Sequence, residues 1–176
     1  MTLTDRMDPV PAGPQAYVTA QAPVDLQTAW DRFVPIDLTV LFKGLGPLPA
    51  VTSVFDQSGP WDVVGNRRSL TLSDGTTIAE TITLVEPPQD GIARFGYTVT
   101  GFGGVFGHLT RTAQGFWVFA AQGRATDIAF RYRFEPAAFW ARPLLGGLTA
   151  TLWRAYMQRA ILRTVDVLSS DLPSRP

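Results

Sequence analysis

The feature that most constrains this chain is one long helical pattern that follows a run of short strands. From Ala137 to Ser170, apolar side chains recur at the three- and four-residue spacing of an amphipathic helix. Gly146-Gly147 is expected to divide this stretch, and the pattern is firm from Leu148 onward. From Gly65 to Phe134, short alternating segments are joined by turn residues instead. This order predicts an α+β fold in which a curved antiparallel sheet wraps around the C-terminal helix.

The segments before the long helix predict seven strands and two short helices. Asp25 is an N-cap candidate, and Trp30 and Phe33 lie on one apolar helix face behind it. A second short helix is predicted near residues 37–42, and Gly44 to Pro49 is expected to be a turn-rich connector. The predicted strands are residues 15–21, 50–55, 64–72, 76–84, 92–100, 108–121 and 126–134.

Length and composition indicate one domain over residues 15–170, after a flexible arm at 1–14 and before a short tail at 171–176. A domain of this size buries about 70% of its unfolded surface, which is enough for a core that also contains a cavity.

Several classes of function are excluded. The formal net charge is zero, whereas a nucleic-acid binder needs a basic surplus. Neither a signal peptide nor an apolar run of the ~18 residues of a membrane span is present, so we expect a cytoplasmic protein, and the lack of cysteine fits. No metal is predicted, because His108 is the single histidine. No cofactor is predicted either, because the glycine-rich run 101–107 lies between strands rather than before a helix. The oligomeric state is not predicted.

The clearest hairpin surrounds Ser73-Asp74-Gly75. A three-residue loop, with Gly75 in the left-handed conformation, places the apolar side chains of both strands on one face. A two-residue turn would split them between the two faces, so the hydrophobic pattern selects the three-residue loop. In this register Arg68 lies opposite Glu80 on the buried face. Because an unpaired charge there would cost several kcal/mol, an ion pair or a wet polar patch is expected.

Two interpretations of this pair remain open. It is either a satisfied buried pair that fixes the register, or a polar anchor within a ligand cavity. Both residues are weak candidates for catalysis, with a tyrosine to orient a carbonyl beside them. His108 is a weaker general acid–base candidate, because a lone loop histidine is more often solvated.

The order of elements and a set of local motifs resemble the START-related SRPBCC superfamily, which includes polyketide cyclase/dehydrase-like and lipid-transport proteins. The resemblance covers about residues 16–170. Its motifs are Ala22-Pro23-Val24 with Trp30, Gly59-Pro60-Trp61, Gly65-x-x-Arg68, Asp74-Gly75 with Glu80, and Trp117 before the last strand. It implies the helix-grip fold, with a deep cavity between sheet and last helix and an apolar or amphipathic ligand. It implies no fixed catalytic set.

Strand and helix phase predict which residues line such a cavity, although each aromatic side chain can equally fill the core. The glycine-rich run 101–107, with Phe102 and Phe106, is a candidate lid that can also touch a membrane transiently. The predicted ligand-binding residues are Arg68, Glu80, Phe95, Tyr97, Trp117, Phe119, Phe130, Tyr132, Leu152 and Tyr156.

Two functions follow. The first is binding of a hydrophobic or amphipathic molecule, such as a lipid, a polyketide or an isoprenoid-like compound. The second is a cyclase or dehydratase of the same fold. Acid–base work needs a raised pKa at Glu80, which Arg68 should oppose by stabilising the carboxylate, so binding is favoured over catalysis.

Overall fold

A computed structural model describes residues 13–170. The predicted tail 171–176, and residues 1–12 of the predicted arm, lie outside this range. In chain order the elements are β1 (Gln15–Ala22), α1 (Leu26–Phe33), α2 (Leu38–Leu41), β2 (Lys43–Leu45), β3 (Leu48–Phe55), β4 (Arg67–Leu72), β5 (Thr77–Gln89), β6 (Ile92–Thr100), α3 (Gly104–Leu109), β7 (Thr110–Gln122), β8 (Ala125–Pro136), α4 (Ala141–Ala150) and α5 (Leu152–Ser169).

The strands form one antiparallel sheet in the order β1-β8-β7-β6-β5-β4-β3-β2. Helix α5 packs against β1 at one edge of this sheet and against β2 at the other edge. The sheet therefore curls around α5, and α1 and α2 also pack on that helix. The predicted helix-grip fold is confirmed. None of the helices in residues 13–170 combines the length and the hydropathy that crossing a membrane requires.

The sheet has eight strands rather than the seven predicted. The extra strand, β2, lies in the segment Gly44 to Pro49 that was expected to be a connector. Lys43 pairs with Ala50, and Leu45 pairs with Leu48, around a two-residue turn. Gly44 and Gly46 have φ angles of 83° and 56°, which glycine adopts without steric cost. Glycines at these positions disfavour a helix or a long strand. They also permit this tight hairpin, because its backbone has positive φ angles there.

The C-terminal helix is divided at Thr151, not at Gly146-Gly147, which lie inside α4. Thr151 leaves the helical region, with φ −121° and ψ −95°. Its hydroxyl donates a hydrogen bond to the carbonyl of Gly147 at 2.8 Å. Such a bond from threonine to the preceding turn competes with the regular helix ladder and bends helices.

Two other segments differ from the prediction. The glycine-rich run 101–107 does not remain a loop, because its second half forms the six-residue helix α3. At the start of the described range, Pro14 is not part of a free arm. Its carbonyl accepts a hydrogen bond from the Phe134 amide at 2.9 Å, which continues the pairing of β1 with β8.

Candidate ligand-binding site

The hairpin of β4 and β5 has the predicted register. Leu70 pairs with Ile78, and Arg68 pairs with Glu80. Gly75 adopts a φ of 85°, the left-handed conformation that the three-residue loop requires. The hydrophobic pattern therefore determines which two charged side chains meet on the inner face of the sheet.

Arg68 and Glu80 form a buried ion pair, with residue exposures of 7% and 4%. The Nε and Nη2 atoms of Arg68 both lie 2.8 Å from one carboxylate oxygen, Oε2 of Glu80. The guanidinium carbon lies 3.8 Å from the centre of the Trp61 ring, in a cation–π contact. The arginine is thus held between a carboxylate and an aromatic face.

Burial raises the pKa of Glu80 above its ordinary value, although the charge and hydrogen bonds of Arg68 oppose this rise. Burial acts in this direction because it removes the carboxylate from water, which penalises the charged form. The opposing effect of Arg68 is the one that the sequence predicts.

A cavity of about 110 Å³ lies on the Glu80 side of this pair, between the inner face of the sheet and α5. Its wall is mainly apolar, with aliphatic side chains from α2, β3, β4, β5 and β6. Seven aromatic side chains complete it: Phe42, Tyr97, Phe102, Phe106, Tyr132, Trp153 and Tyr156. The charged residues on the wall are Glu80 and Asp74, both acidic.

The cavity reaches the protein surface between two turns. Pro47, in the β2–β3 turn, and Asp74, in the β4–β5 turn, are exposed residues that also line the cavity. Phe102 and Phe106 line it from the segment that leads into α3 and from α3 itself. These elements define the mouth, and Glu80 lies at the buried end.

The tyrosine hydroxyls differ in what they offer a ligand. Tyr156 donates to the carbonyl of Pro49 at 2.7 Å, so its proton is already used. Burial raises the pKa of Tyr97, with Glu80 adding to the effect and hydrogen bonding by Trp117 opposing it. Burial also raises the pKa of Tyr132. Both groups are therefore neutral hydroxyls over the whole working range of pH.

One residue of the wall, Trp153, has a polar atom without a hydrogen-bond partner in the described part of the chain. The indole N–H of Trp153 is buried and has no hydrogen-bond partner within residues 13–170. Its ring packs against Phe134 and Tyr132, with centroid distances of 4.8 Å and 4.9 Å.

The predicted site residues fall into three groups. Glu80, Tyr97, Tyr132 and Tyr156 lie on the wall of the main cavity. Arg68, Phe95 and Trp117 line a second cavity of about 20 Å³, which Tyr97 also contacts. The remaining three line neither: Phe119, Phe130 and Leu152.

Phe119 and Phe130 fill the aromatic core beneath α1. Phe130 stacks on Trp117 with ring centroids 3.9 Å apart, and Phe119 lies 4.7 Å from Phe33. Strand phase correctly places both on the inner face, but it cannot tell which part of that face α1 covers. Leu152 is displaced by the break at Thr151, and the neighbouring Trp153 reaches the cavity instead.

Several wall residues were not predicted. Pro47 and Pro49 belong to the unpredicted β2–β3 hairpin, so no signal placed them near the site. Phe102 and Phe106 were proposed only as a lid, and they lie on the wall.

Gly115 shapes the site from the middle of β7. It pairs with Tyr97 on one side and with Tyr132 on the other. A Cβ atom at position 115 would lie 2.1 Å from Cζ of Tyr97, far inside contact distance. A glycine inside a strand can mark such a close approach, and here the missing side chain makes room for the tyrosine ring.

Solved structures share this architecture at low sequence identity. Ara h 8.0201 is 16% identical, with a TM-score of 0.60 over 89% of this chain and 98% of that one. Norcoclaurine synthase from Thalictrum flavum is 14% identical, with a TM-score of 0.54 over 84% of both chains. DynU16, from the dynemicin biosynthetic locus, is 17% identical, with a TM-score of 0.58 over 94% of this chain but 51% of its own. Neither a protein-family model nor a curated protein matches the chain.

These likenesses define the class of protein by its fold. The chain shares the helix-grip fold with these proteins, which is the fold that its resemblance to the START-related SRPBCC superfamily implies. Identities this low carry no ligand and no reaction over to this chain.

Proposed function

We propose that the protein binds an apolar or amphipathic small molecule in the cavity between the sheet and α5. The observation that carries this proposal is the combination of a mainly apolar wall with one buried carboxylate, Glu80, at its inner end. Ligand sites typically combine an apolar surface with a few polar groups that fix orientation.

The energetic cost of the empty space supports this proposal. Protein interiors are close-packed, and a residual cavity costs ~24 cal/mol per Å³. A cavity of about 110 Å³ therefore costs on the order of 2–3 kcal/mol. Larger side chains in place of Val51, Leu72 or Val99 would remove that cost, so a role for the cavity explains its retention.

The volume limits what is enclosed. An engineered cavity of about 150 Å³ in another protein holds a benzene molecule. The space here accommodates a group of similar or smaller size, and the remainder of a longer ligand would pass between the turns that carry Pro47 and Asp74. A lipid, polyketide or isoprenoid-like compound can meet this requirement with one ring or branched segment.

A cavity-filling variant tests the proposal. Leu72 lines the cavity, whereas its neighbour Thr71 points to the opposite face of β4. Leu72→Trp should weaken the binding of the neutral apolar dye Nile red at least ~tenfold, which is about 1.4 kcal/mol. The matched control Thr71→Trp should bind as the wild type does.

Native mass spectrometry of the purified protein supplies a second readout, because a retained ligand appears as a mass adduct. Equal dye affinity in both variants would mean that the dye binds elsewhere. Together with the absence of any adduct, that result would contradict the proposal.

The raised pKa of Glu80 favours one alternative, a cyclase or dehydratase-type enzyme. A carboxyl group whose pKa is raised can hold and release a proton nearer neutral pH, as a general acid–base requires. Glu80→Gln should then abolish conversion of a co-purified ligand, measured as loss of water or a change in retention time, while ligand affinity persists. Equal loss of both would leave binding as the function.

We also propose that the molecule contacts membranes transiently beside the cavity mouth. An apolar patch, formed by Val105 of α3 with Phe139, Trp140 and Leu144 at the start of α4, has exposures of 73%, 87%, 50% and 57%. The two helices pack together. Arg142, an exposed residue of α4 two positions after Trp140, adds a positive charge that complements anionic lipid headgroups.

Sedimentation with vesicles tests this surface. Phosphatidylserine-containing vesicles should carry down the wild type, and pure phosphatidylcholine vesicles should do so less. Trp140→Ser should reduce the bound fraction, because indole rings favour the membrane interface. The control Val64→Ser changes a side chain of similar exposure, 57%, outside the patch. An equal reduction in both variants would contradict a specific surface.

A further inference from the structure

The ion pair divides its two charges between the two cavities. Glu80 lies on the wall of the main cavity and Arg68 does not, whereas Arg68 lies on the wall of the second, smaller cavity and Glu80 does not. Both arginine nitrogens contact Oε2, so Oε1 is the carboxylate oxygen that a ligand in the main cavity can bind without displacing the arginine. The guanidinium is also covered by Trp61. A ligand in the main cavity therefore meets the carboxylate before it meets the cation.

The other charged residue on the wall of the main cavity is also acidic. Asp74, at the mouth, is the second charged residue on it. The side chain of Asp74 accepts a hydrogen bond from the Thr76 amide in its own loop. Every charged side chain on this cavity wall is therefore acidic.

The aromatic faces act in the same direction. The face of an aromatic ring carries partial negative charge. A cation placed over this face is attracted by ~0.5–2 kcal/mol, with the larger values where water is excluded. Seven aromatic side chains line this cavity. The indole N–H of Trp153, which has no hydrogen-bond partner among residues 13–170, is a neutral donor. Such a donor is weaker than a charged one and does not offset two carboxylates.

We propose that the ligand of this cavity carries a hydrogen-bond-donating head group without negative charge, best satisfied by a protonated amine, and that the cavity rejects carboxylates. This inference rests on the proposed binding function and specifies its ligand class. A fatty acid would bring its carboxylate against the two acidic side chains of the wall, and such juxtaposition is how binding sites exclude wrong partners. An amine or a hydroxyl can donate to Oε1 of Glu80 instead.

Three matched ligands with one phenyl ring test the proposal: phenethylamine, phenethyl alcohol and phenylpropionate. Isothermal titration at neutral pH and low salt should give the order amine, alcohol, carboxylate from tightest to weakest. We expect at least ~tenfold between the amine and the carboxylate, equivalent to about 1.4 kcal/mol. A carboxylate that binds as tightly as the amine overturns the inference, and so does an amine that does not bind.

Two variants locate the source of the preference. Glu80→Gln keeps an oxygen acceptor but removes the charge, and it should reduce the ratio of amine to carboxylate affinity severalfold. Asp74→Asn lies on an exposed loop, so it keeps the fold if Glu80→Gln does not, and it should reduce the ratio by a smaller factor. An unchanged ratio in Asp74→Asn and in a folded Glu80→Gln overturns the assignment to these carboxylates.

The outcomes separate this inference from the function on which it rests. Binding of Nile red and phenethyl alcohol without any preference between amine and carboxylate overturns the charge selection and leaves the binding function standing. Failure of the dye and of all three ligands overturns both.

Discussion

The ion pair of Arg68 and Glu80 makes a sharp prediction about stability, because it is buried and its two members can be removed separately. Three variants are needed: Arg68→Met, Glu80→Leu and the double variant. Each single change leaves one charge in the interior without its partner. The double change removes both charges and leaves two apolar side chains of similar volume.

The structure sets the magnitudes. Exposures of 7% and 4% mean that water cannot solvate a charge left alone, and removing one partner of such a pair costs about 3–5 kcal/mol. Replacing both partners by apolar residues is often neutral or stabilising by ~1–4 kcal/mol. Loss of the contact between Arg68 and Trp61 at 3.8 Å removes ~0.5–2 kcal/mol from that gain. The double variant should therefore lie between about 2 kcal/mol less stable and about 3.5 kcal/mol more stable than the wild type.

Urea unfolding followed by tryptophan fluorescence measures these free energies, and an unchanged slope with denaturant confirms that the same surface unfolds. In a domain of this length, ~1 kcal/mol shifts Tm by about 2–4 °C, so each single variant should melt roughly 6–20 °C lower. Additive effects, with the double variant as unstable as the sum of the singles, would refute the reasoning. Single variants that cost less than ~1 kcal/mol would do the same, because they would indicate a solvated pair.

Three further predictions concern Glu80, Tyr156 and Gly115, which lie on or next to the wall of the main cavity. Burial raises the folded-state pKa of Glu80 above its ordinary 4.5, so folding should lose stability as pH rises from about 4.5 through that pKa, and urea titrations should show no such fall in the double variant. Tyr156→Phe removes the 2.7 Å hydrogen bond to Pro49 and should cost ~1–3 kcal/mol of unfolding free energy, because the carbonyl is left unpaired. Gly115→Ala places a Cβ atom 2.1 Å from Tyr97, so it should push that ring out of place, weaken Nile red binding and cost ~1–3 kcal/mol.

The parts of the fold that the sequence predicts are those with a strict periodicity. The alternation of Leu70, Leu72, Ile78 and Ile82 fixes the β4–β5 register, because a slip of one residue would expose the whole set. The β2 strand could not be predicted, since its three residues, Lys43–Leu45 with a glycine in the middle, are too few to show a period. The helix break could not be predicted either, because Thr151 acts through a hydrogen bond of its side chain, whereas the glycines before it remain helical.

For the site, the sequence predicts which strand side chains lie on the inner face of the sheet, but not which of them line the cavity. Phase correctly places Glu80 and Tyr97 on the inner face, but it also places Phe119 there, which α1 covers and which lies in the core. Which stretch of the inner face remains open depends on how α1 and α5 pack across the sheet. The same limit applies to the helix. After the break at Thr151, Trp153 lines the cavity in the position that the helical pattern assigns to Leu152.

The geometry of the pair links stability to ligand selection. A symmetric, bidentate pair would present a cation and an anion equally to the cavity. Here both arginine nitrogens bind one oxygen, Oε2 of Glu80, and Trp61 covers the guanidinium. The protein thereby keeps the partner that makes burial of the carboxylate tolerable, while Oε1 can accept a hydrogen bond from a ligand. Moving the cation to the cavity side, by exchanging Arg68 and Glu80, should preserve much of the stability but invert the preference between amine and carboxylate. Titration of the exchanged variant with phenethylamine and phenylpropionate measures that inversion, and an unchanged preference would show that the pair does not select the ligand.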